Sequence, residues 1–352
     1  METTFMIQYP NNREIITSAP CRIDAGGTLD IPLFHYTLRH LKPCTFNIAL
    51  DMRTRVTLQP YSSNQIKITS KGFGESCFSC EKIPFDHPLG LMLAIVSYYH
   101  ISGLHIHIES SSPPRSALGG SSTAAVALIK ALSHLVNEPV TQDQMAFLAY
   151  QIESNVARVS CGIQDQLAAI FGGVNAWYFA ASPTAKAFRQ ESLLSKKDYD
   201  TFEKHILIAY CGAPHESKDI NGQWVDQFLK GDTRKNWEQI IYKTQEFNNA
   251  LINKDWQAAV SAMRSEVDIR MQMTPDVFDH AGKSLLQAAL DNQCAARFTG
   301  AGGGGCIWAI GEKNQIDILR DVWNSILVQY PDASLLKNKI ADCGVIIEGD
   351  NQ

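Results

Sequence analysis

The sequence contains no apolar run long enough to cross a bilayer. The longest, from about Leu89 to Tyr99, stops well short of a membrane span. No block of Lys or Arg occurs, and a formal net charge of −5 offers no basic face for nucleic acid. Near the N-terminus only Phe5-Met6-Ile7 is apolar, too little for a secretory signal. The nine cysteines are odd in number and scattered, which argues against a disulfide framework and for a reducing, cytoplasmic setting. Cys77 and Cys80 lack a second pair or a neighbouring His at zinc spacing and read as loop thiols. Internal repeats and low-complexity stretches are also missing. So is the phosphate-loop pattern G-x-x-x-x-G-K-[ST], so any nucleotide needs a different loop.

What remains is an ordinary globular composition. The chain has 352 residues, 45% hydrophobic and 19% charged, enough for two domains with separate cores. Strand-like runs at 46–58, 104–108 and 174–179 mix with helical ones in the first half. A polar, proline-containing stretch, 181–200, precedes the strand-like Ile206-Leu207-Ile208-Ala209-Tyr210. Mostly helical sequence follows over 233–290. Mixed elements without regular alternation indicate α+β. The expected division is 1–200 and 201–352.

The most telling segment is Pro113 to Thr123. Before it, Leu104, Ile106 and Ile108 alternate with His105, His107 and Glu109, a half-buried strand. After it, 124–136 has almost no polar interruption and reads as a buried helix. Pro114-Arg115-Ser116-Ala117-Leu118-Gly119-Gly120-Ser121-Ser122-Thr123 therefore brings glycines and hydroxyls to a helix N-terminus. Free N–H groups and the positive end of the helix dipole converge there, which suits an anion such as phosphate. The competing reading is a helix capped by Ser121 or Ser122.

Two further segments are glycine-rich. Ala19-Pro20-Cys21-Arg22-Ile23-Asp24-Ala25-Gly26-Gly27-Thr28-Leu29-Asp30-Ile31-Pro32 lies near the N-terminus. Arg297-Phe298-Thr299-Gly300-Ala301-Gly302-Gly303-Gly304-Gly305-Cys306 lies near the C-terminus. Gly300, Gly302 and Gly305 satisfy G-x-G-x-x-G, but the strand-like Cys306–Ile310 follows where a dinucleotide site needs a helix. A tight turn between strands fits better, its bare backbone packed on another loop or a phosphate. Between these segments, Thr141 to Gln144 reads as a capping box opening a helix. Glu153 stands one residue off that helix's apolar stripe and reads, by spacing, as a solvated charge. Asp165, in Gly162-Ile163-Gln164-Asp165-Gln166, falls in a helix's first turn, which favours a carboxylate.

In order and spacing the three segments resemble the three motifs of the GHMP kinases (galactokinase, homoserine kinase, mevalonate kinase, phosphomevalonate kinase). The resemblance covers essentially the whole chain. The first motif is most similar to the sugar-kinase branch of heptose 7-phosphate and fucose kinases. It implies an N-terminal domain like ribosomal protein S5 domain 2 and a ferredoxin-like C-terminal domain, with the active site in the cleft. It also implies ATP and Mg²⁺, with nucleotide phosphates on residues 114–123 and the metal on Ser121 (Ser122 as second choice) and Glu153. Asp165 is implied as catalytic base and Arg22 as its cationic companion. On the substrate side stand Asp30, reading ring hydroxyls, and Gly26, Gly27, Gly302 and Gly303. His215, Ser217 and Lys218 read as an exposed loop.

The implied reaction is ATP-dependent phosphoryl transfer to a hydroxyl, expected to be anomeric, of a sugar or sugar phosphate. The rivals are a non-sugar alcohol such as mevalonate and a non-catalytic sugar and ATP sensor. The implied partner is a small molecule, without nucleic acid or membrane. The oligomeric state stays open, a homodimer included. The chain departs from the family pattern at Arg115 and Ala117, where glycines are usual, and at Gly120, where Ser or Thr is common. Its first motif is one residue shorter between Asp24 and Gly26.

Overall fold

A computed structural model describes residues 6–10, 13–71, 74–157, 160–179, 187–212 and 220–349. In chain order its strands are β1 (Ile7–Gln8), β2 (Ile15–Ala25), β3 (Cys44–Pro60), β4 (Gln65–Ser70), β5 (Gly74–Ser79), β6 (Ile101–Ser102) and β7 (Leu104–Ser110). They continue with β8 (Val174–Phe179), β9 (Phe188–Ser192), β10 (Ile206–Tyr210), β11 (Ala295–Phe298), β12 (Cys306–Ile310), β13 (Ser334–Leu336) and β14 (Ile346–Ile347). Apart from a short parallel pair of β1 and β6, these form two sheets. One has the order β14-β2-β3-β7-β4-β5, with β8 joining β3 to β9; the other has the order β11-β12-β10-β13. The α+β class is as expected.

The first sheet is organised by β3, whose 17 residues serve two neighbours in turn. Its first part pairs with β8 and its later part with β7, while β2 runs along the other side. The β2–β3 register shifts between Pro20 and Cys21. Pro20 has no N–H to give to the ladder, so an irregularity there is expected. In β7 the alternation holds: Leu104, Ile106 and Ile108 are buried and His105 and His107 are not. The Gly120–Leu135 helix lies against this sheet, fixed by a 2.8 Å bond from Thr17 Oγ1 to Ala127 O.

The polar, proline-containing stretch between the halves is partly strand. Phe188–Ser192 pairs with β8 from Phe179↔Phe188 to Asn175↔Ser192 and so widens the first sheet. The helical region resolves into Arg234–Ile252, Trp256–Met273 and His280–Asp291. Asp255 and Asp279 cap the last two through Ala258 N and Gly282 N. β11 and β12 then form an antiparallel pair around the glycine-rich turn, the hairpin the sequence suggests.

The two sheets share one apolar core in which Ile23, Phe46 and Ile48 meet Trp237, Phe247 and Trp308. The division expected after residue 200 falls between β9 and β10. The chain nevertheless crosses back near its end: Ile340 bridges to Leu50, and β14 pairs with Ser18 and Thr17 of β2.

Candidate active site

The Gly120–Leu135 helix starts after Gly119, whose φ is +76°, and no side chain caps it. The capping reading of the serines therefore fails. The Ser122 hydroxyl donates instead to Glu153 Oε2 at 2.7 Å, and Thr123 Oγ1 turns back to Gly119 O at 2.8 Å. Gly119, Gly120, Ser121 and Ser122 line a cavity of about 270 Å³, so the helix's positive end opens into it.

The loop before this helix keeps a glycine-like shape without glycine. Arg115 and Ala117 take φ of +52° and +59°, in the left-handed region. Across from them stands the glycine turn. A Cβ at Gly305 would come within 2.7 Å of Ser116 O and 3.0 Å of Ala117 Cβ. The bare backbone of the third segment is thus packed on the second.

Arg22, on β2, faces Asp165, in the first turn of the Gln164–Phe171 helix. Its Nε and Nη2 donate to the two carboxylate oxygens at 2.8 and 2.9 Å. The third nitrogen, Nη1, donates to Ala117 O at 2.6 Å. This fork-to-fork geometry fixes both groups. Burial opposes the charge on Arg22, but Asp165 and Asp24 together outweigh it and hold the guanidinium above its ordinary value. A permanently charged arginine thus holds Asp165 at the cavity wall.

Glu153, on the Gln142–Ala157 helix, is not the solvated charge its spacing suggests. It accepts from Ser122 Oγ at 2.7 Å and from Gln166 Nε2 at 2.6 Å. Burial pushes its carboxyl up to about 7, the nearby Asp165 charge adding to this against the bonds from Ser122 and Gln166. The capping box that opens its helix is present, with Thr141 N on Gln144 Oε1 at 2.9 Å and Gln144 N on Thr141 Oγ1 at 3.3 Å.

Asp30 is buried at the cavity, and its Oδ2 accepts from Gln164 N at 2.9 Å. It thereby satisfies a free N–H at the start of the helix that carries Asp165. Gly162 makes room for it, since a Cβ there would sit 1.8 Å from Asp30 Oδ2. Burial pushes Asp30 up to about 6 despite the Gln164 bond, with the Asp165 and Asp24 charges reinforcing the shift.

The cavity thus gathers Arg22, Asp30, Ser121, Ser122, Glu153 and Asp165 from across the first half. The expected glycines are near it but not in its wall. Gly26 packs on Thr244, Gly27 on Asp24 and Gln164, Gly302 on Val277, and Gly303 donates its N–H to Val277 O at 2.8 Å. Their places are taken by Thr28, Ile31, Gly300 and Ala301. His215, Ser217 and Lys218 lie outside the described residues. Sequence reasoning missed Gln164, Gln166, Thr28 and Asn221. The first two flank Asp165 and were visible there, whereas nothing near Asn221 signals its 3.1 Å bond from Thr28 Oγ1.

Residues 87–173 match the model of the GHMP kinases N terminal domain. A mevalonate kinase of Thermococcus sibiricus is 24% identical over 335 residues, 86% of this chain and 91% of that protein. A D-glycero-alpha-D-manno-heptose 7-phosphate kinase of Campylobacter jejuni is 26% identical over 309 residues, 83% of this chain and 88% of that one. The galactokinase of Lactococcus lactis, solved with galactose, superposes with a TM-score of 0.75 at 17% identity, covering 96% of this chain and 95% of that one. The whole described architecture is therefore the GHMP kinase fold. No helix among the described residues is long and apolar enough to cross a membrane.

Proposed function

We propose that this GHMP-fold chain is an ATP- and magnesium-dependent kinase that phosphorylates a hydroxyl of a sugar or sugar phosphate. The observation that carries the reading is the convergence of an uncapped helix N-terminus, the Arg22–Asp165 fork and Glu153 on one cavity.

The residues present fit nucleotide and metal. Three backbone N–H groups at 120–122 lie ahead of the first internal helix bond, Thr123 N to Gly119 O, and suit phosphate oxygens. An adjoining cavity of about 340 Å³ shares Gly119, Gly120 and Ser121 and is walled by Leu89, Met92, Ile108 and Leu118, suiting a flat base. Glu153 with Ser122 or Ser121 supplies the carboxylate and hydroxyl that magnesium takes alongside water and phosphate oxygens. Bound there, the metal would neutralise charge on the phosphates. Gln166 Oε1, buried without a protein partner, adds an unused acceptor in the same wall.

In this reading Asp165 orients the acceptor hydroxyl and takes its proton as the oxygen bonds to the terminal phosphorus and ADP leaves. Arg22 holds Asp165 in place and offsets the negative charge that gathers around it. Asp30 accepts from substrate hydroxyls with the capacity left by Gln164 N. A polyol suits this wall, which holds Thr28, Asn221, Gln164 and Asp30 together. The relatives also act on mevalonate, so the acceptor class is tested directly. ADP release is measured with MgATP across hexoses, heptoses, their phosphates and mevalonate. Turnover on a sugar-type acceptor is expected. Turnover on mevalonate alone would replace the sugar reading, and none with any acceptor would leave a ligand sensor.

A further inference from the structure

Behind the cavity lies a line of charges that alternates in sign from Asp165 through Arg22, Asp24, Arg297, Glu266 and Arg270. The proposed reaction uses the first two and leaves the last four, all buried, without a role. Asp24 Oδ1 is 3.7 Å from Arg22 Nη1 and accepts from Gly300 N at 2.7 Å, while its Oδ2 accepts from Arg297 Nη1 at 3.1 Å. Arg297 Nε donates to Glu266 Oε2 at 3.1 Å, and Glu266 Oε1 receives Arg270 Nε. At the far end Arg270 Nη2 donates to Gly27 O at 2.7 Å, its guanidinium lying over Trp224 and Trp237.

The line joins both halves of the chain. Arg22 and Asp24 are on β2, Arg297 on β11, and Glu266 and Arg270 on the Trp256–Met273 helix. Its terminal bond holds the carbonyl next to Thr28, a buried β-branched residue at φ +79°. Such a backbone persists only where its surroundings over-determine it, and it is commonest at functional sites. Burial would raise the Glu266 carboxyl, but Arg270 and Arg297 outweigh it and leave the group below its ordinary value. Buried ion pairs seldom add stability over apolar packing, so stability alone is a weak account of five in a row.

We infer that Arg297, Glu266 and Arg270 are positioning residues for phosphoryl transfer. Through Asp24 they set the place of Arg22 against Asp165, and through Gly27 O they set the turn that presents Thr28 and Asp30. This rests on the kinase reading above.

The test uses the full chain, its best acceptor and MgATP, below each variant's melting temperature. Glu266→Gln unbalances the line, whereas Glu266→Met with Arg270→Met removes its last pair and leaves the other charges matched. Both are expected to lower kcat at least tenfold with the KM for MgATP within threefold of wild type. The double variant is also expected to raise the acceptor KM at least threefold. Should the double variant fail to fold, Arg270→Lys keeps the charge while weakening the hold on Gly27 O, and the same acceptor KM shift is read from it. A folded double variant or Arg270→Lys with wild-type kcat and KM values overturns the inference and leaves the line as a structural link. Wild-type protein without turnover on any acceptor rejects the kinase reading itself and the positioning role with it.

Discussion

At the scale of single residues, the carboxylates divide by what surrounds them. Asp165 is clamped by an arginine, while the partly buried Glu153 and the buried Asp30 stand beside other negative charges and have raised values. For Glu153 the consequence for stability has a definite sign. Its folded value of about 7 lies above its ordinary 4.5, so the folded chain binds the extra proton between the two. Stability from this group is therefore highest below the ordinary value and falls as pH rises towards 7, by at most about 3 kcal/mol. Glu153→Gln is expected to flatten this fall in urea denaturation between pH 4.5 and 7.5 without magnesium. Equal slopes in the two proteins would refute the assignment. Magnesium would compete with that proton, so wild type should gain more stability from MgATP at pH 8 than the variant does. Asp165→Asn tests the other role. It is expected to keep the fold and nucleotide binding yet lose roughly two to four orders of magnitude in turnover, and activity within tenfold of wild type would leave Asp165 as a helix-terminus charge.

At the scale of elements, what was legible in the sequence was what local rules govern. The alternation in β7, the unbroken apolar helix after it, the capping box at Thr141 and Gln144, and the β11–β12 turn all follow from periodicity or local hydrogen bonding. What was not legible depends on partners distant in the chain. Glu153 reads as solvated until Ser122 and Gln166 close on it, and Phe188–Ser192 reads as part of a polar stretch until β8 is there to pair with. The glycines Gly26, Gly27 and Gly302 read as ligand contacts, yet their missing side chains make room for Thr244, Asp24 and Val277. The phosphate-type loop gives a test at this scale. Ala117 holds the left-handed region at φ +59°, which costs an L-residue about 1–2 kcal/mol, partly offset by glycine's larger unfolded entropy. Ala117→Gly is expected to stabilise the chain by up to about 1 kcal/mol in denaturant titrations with no loss of nucleotide affinity. Destabilisation would mean that the Ala117 methyl contributes more by packing than its backbone loses by strain.

At the scale of the whole molecule, the last residues brace the candidate active site. After Ile340 the chain packs along the end of the Gln164–Phe171 helix, whose first turn holds Asp165. Ala341 exchanges bonds with the first half, its N–H on Ala49 O at 2.9 Å and its O taking Gly173 N at 2.8 Å. Arg53 grips the same segment through Cys343 O at 3.3 Å and Gly344 O at 2.7 Å. The approach at Gly344 is so close that a Cβ would lie 1.9 Å from Ile170 O and 2.7 Å from Phe171 N. Both are backbone atoms of the Asp165 helix, with no rotamer to move aside. Gly344→Ala must therefore push either the C-terminal segment off the sheet or the helix out of line. A destabilisation of at least about 2 kcal/mol is expected, in the range of overpacking within a close-packed interior. Asp342→Ala, at an exposed position of the same segment, is the control and should stay within about 0.5 kcal/mol of wild type. If the brace sets the place of Asp165, folded Gly344→Ala also loses kcat while the control does not. A Gly344→Ala protein with wild-type stability would show that the segment yields at no cost and braces nothing.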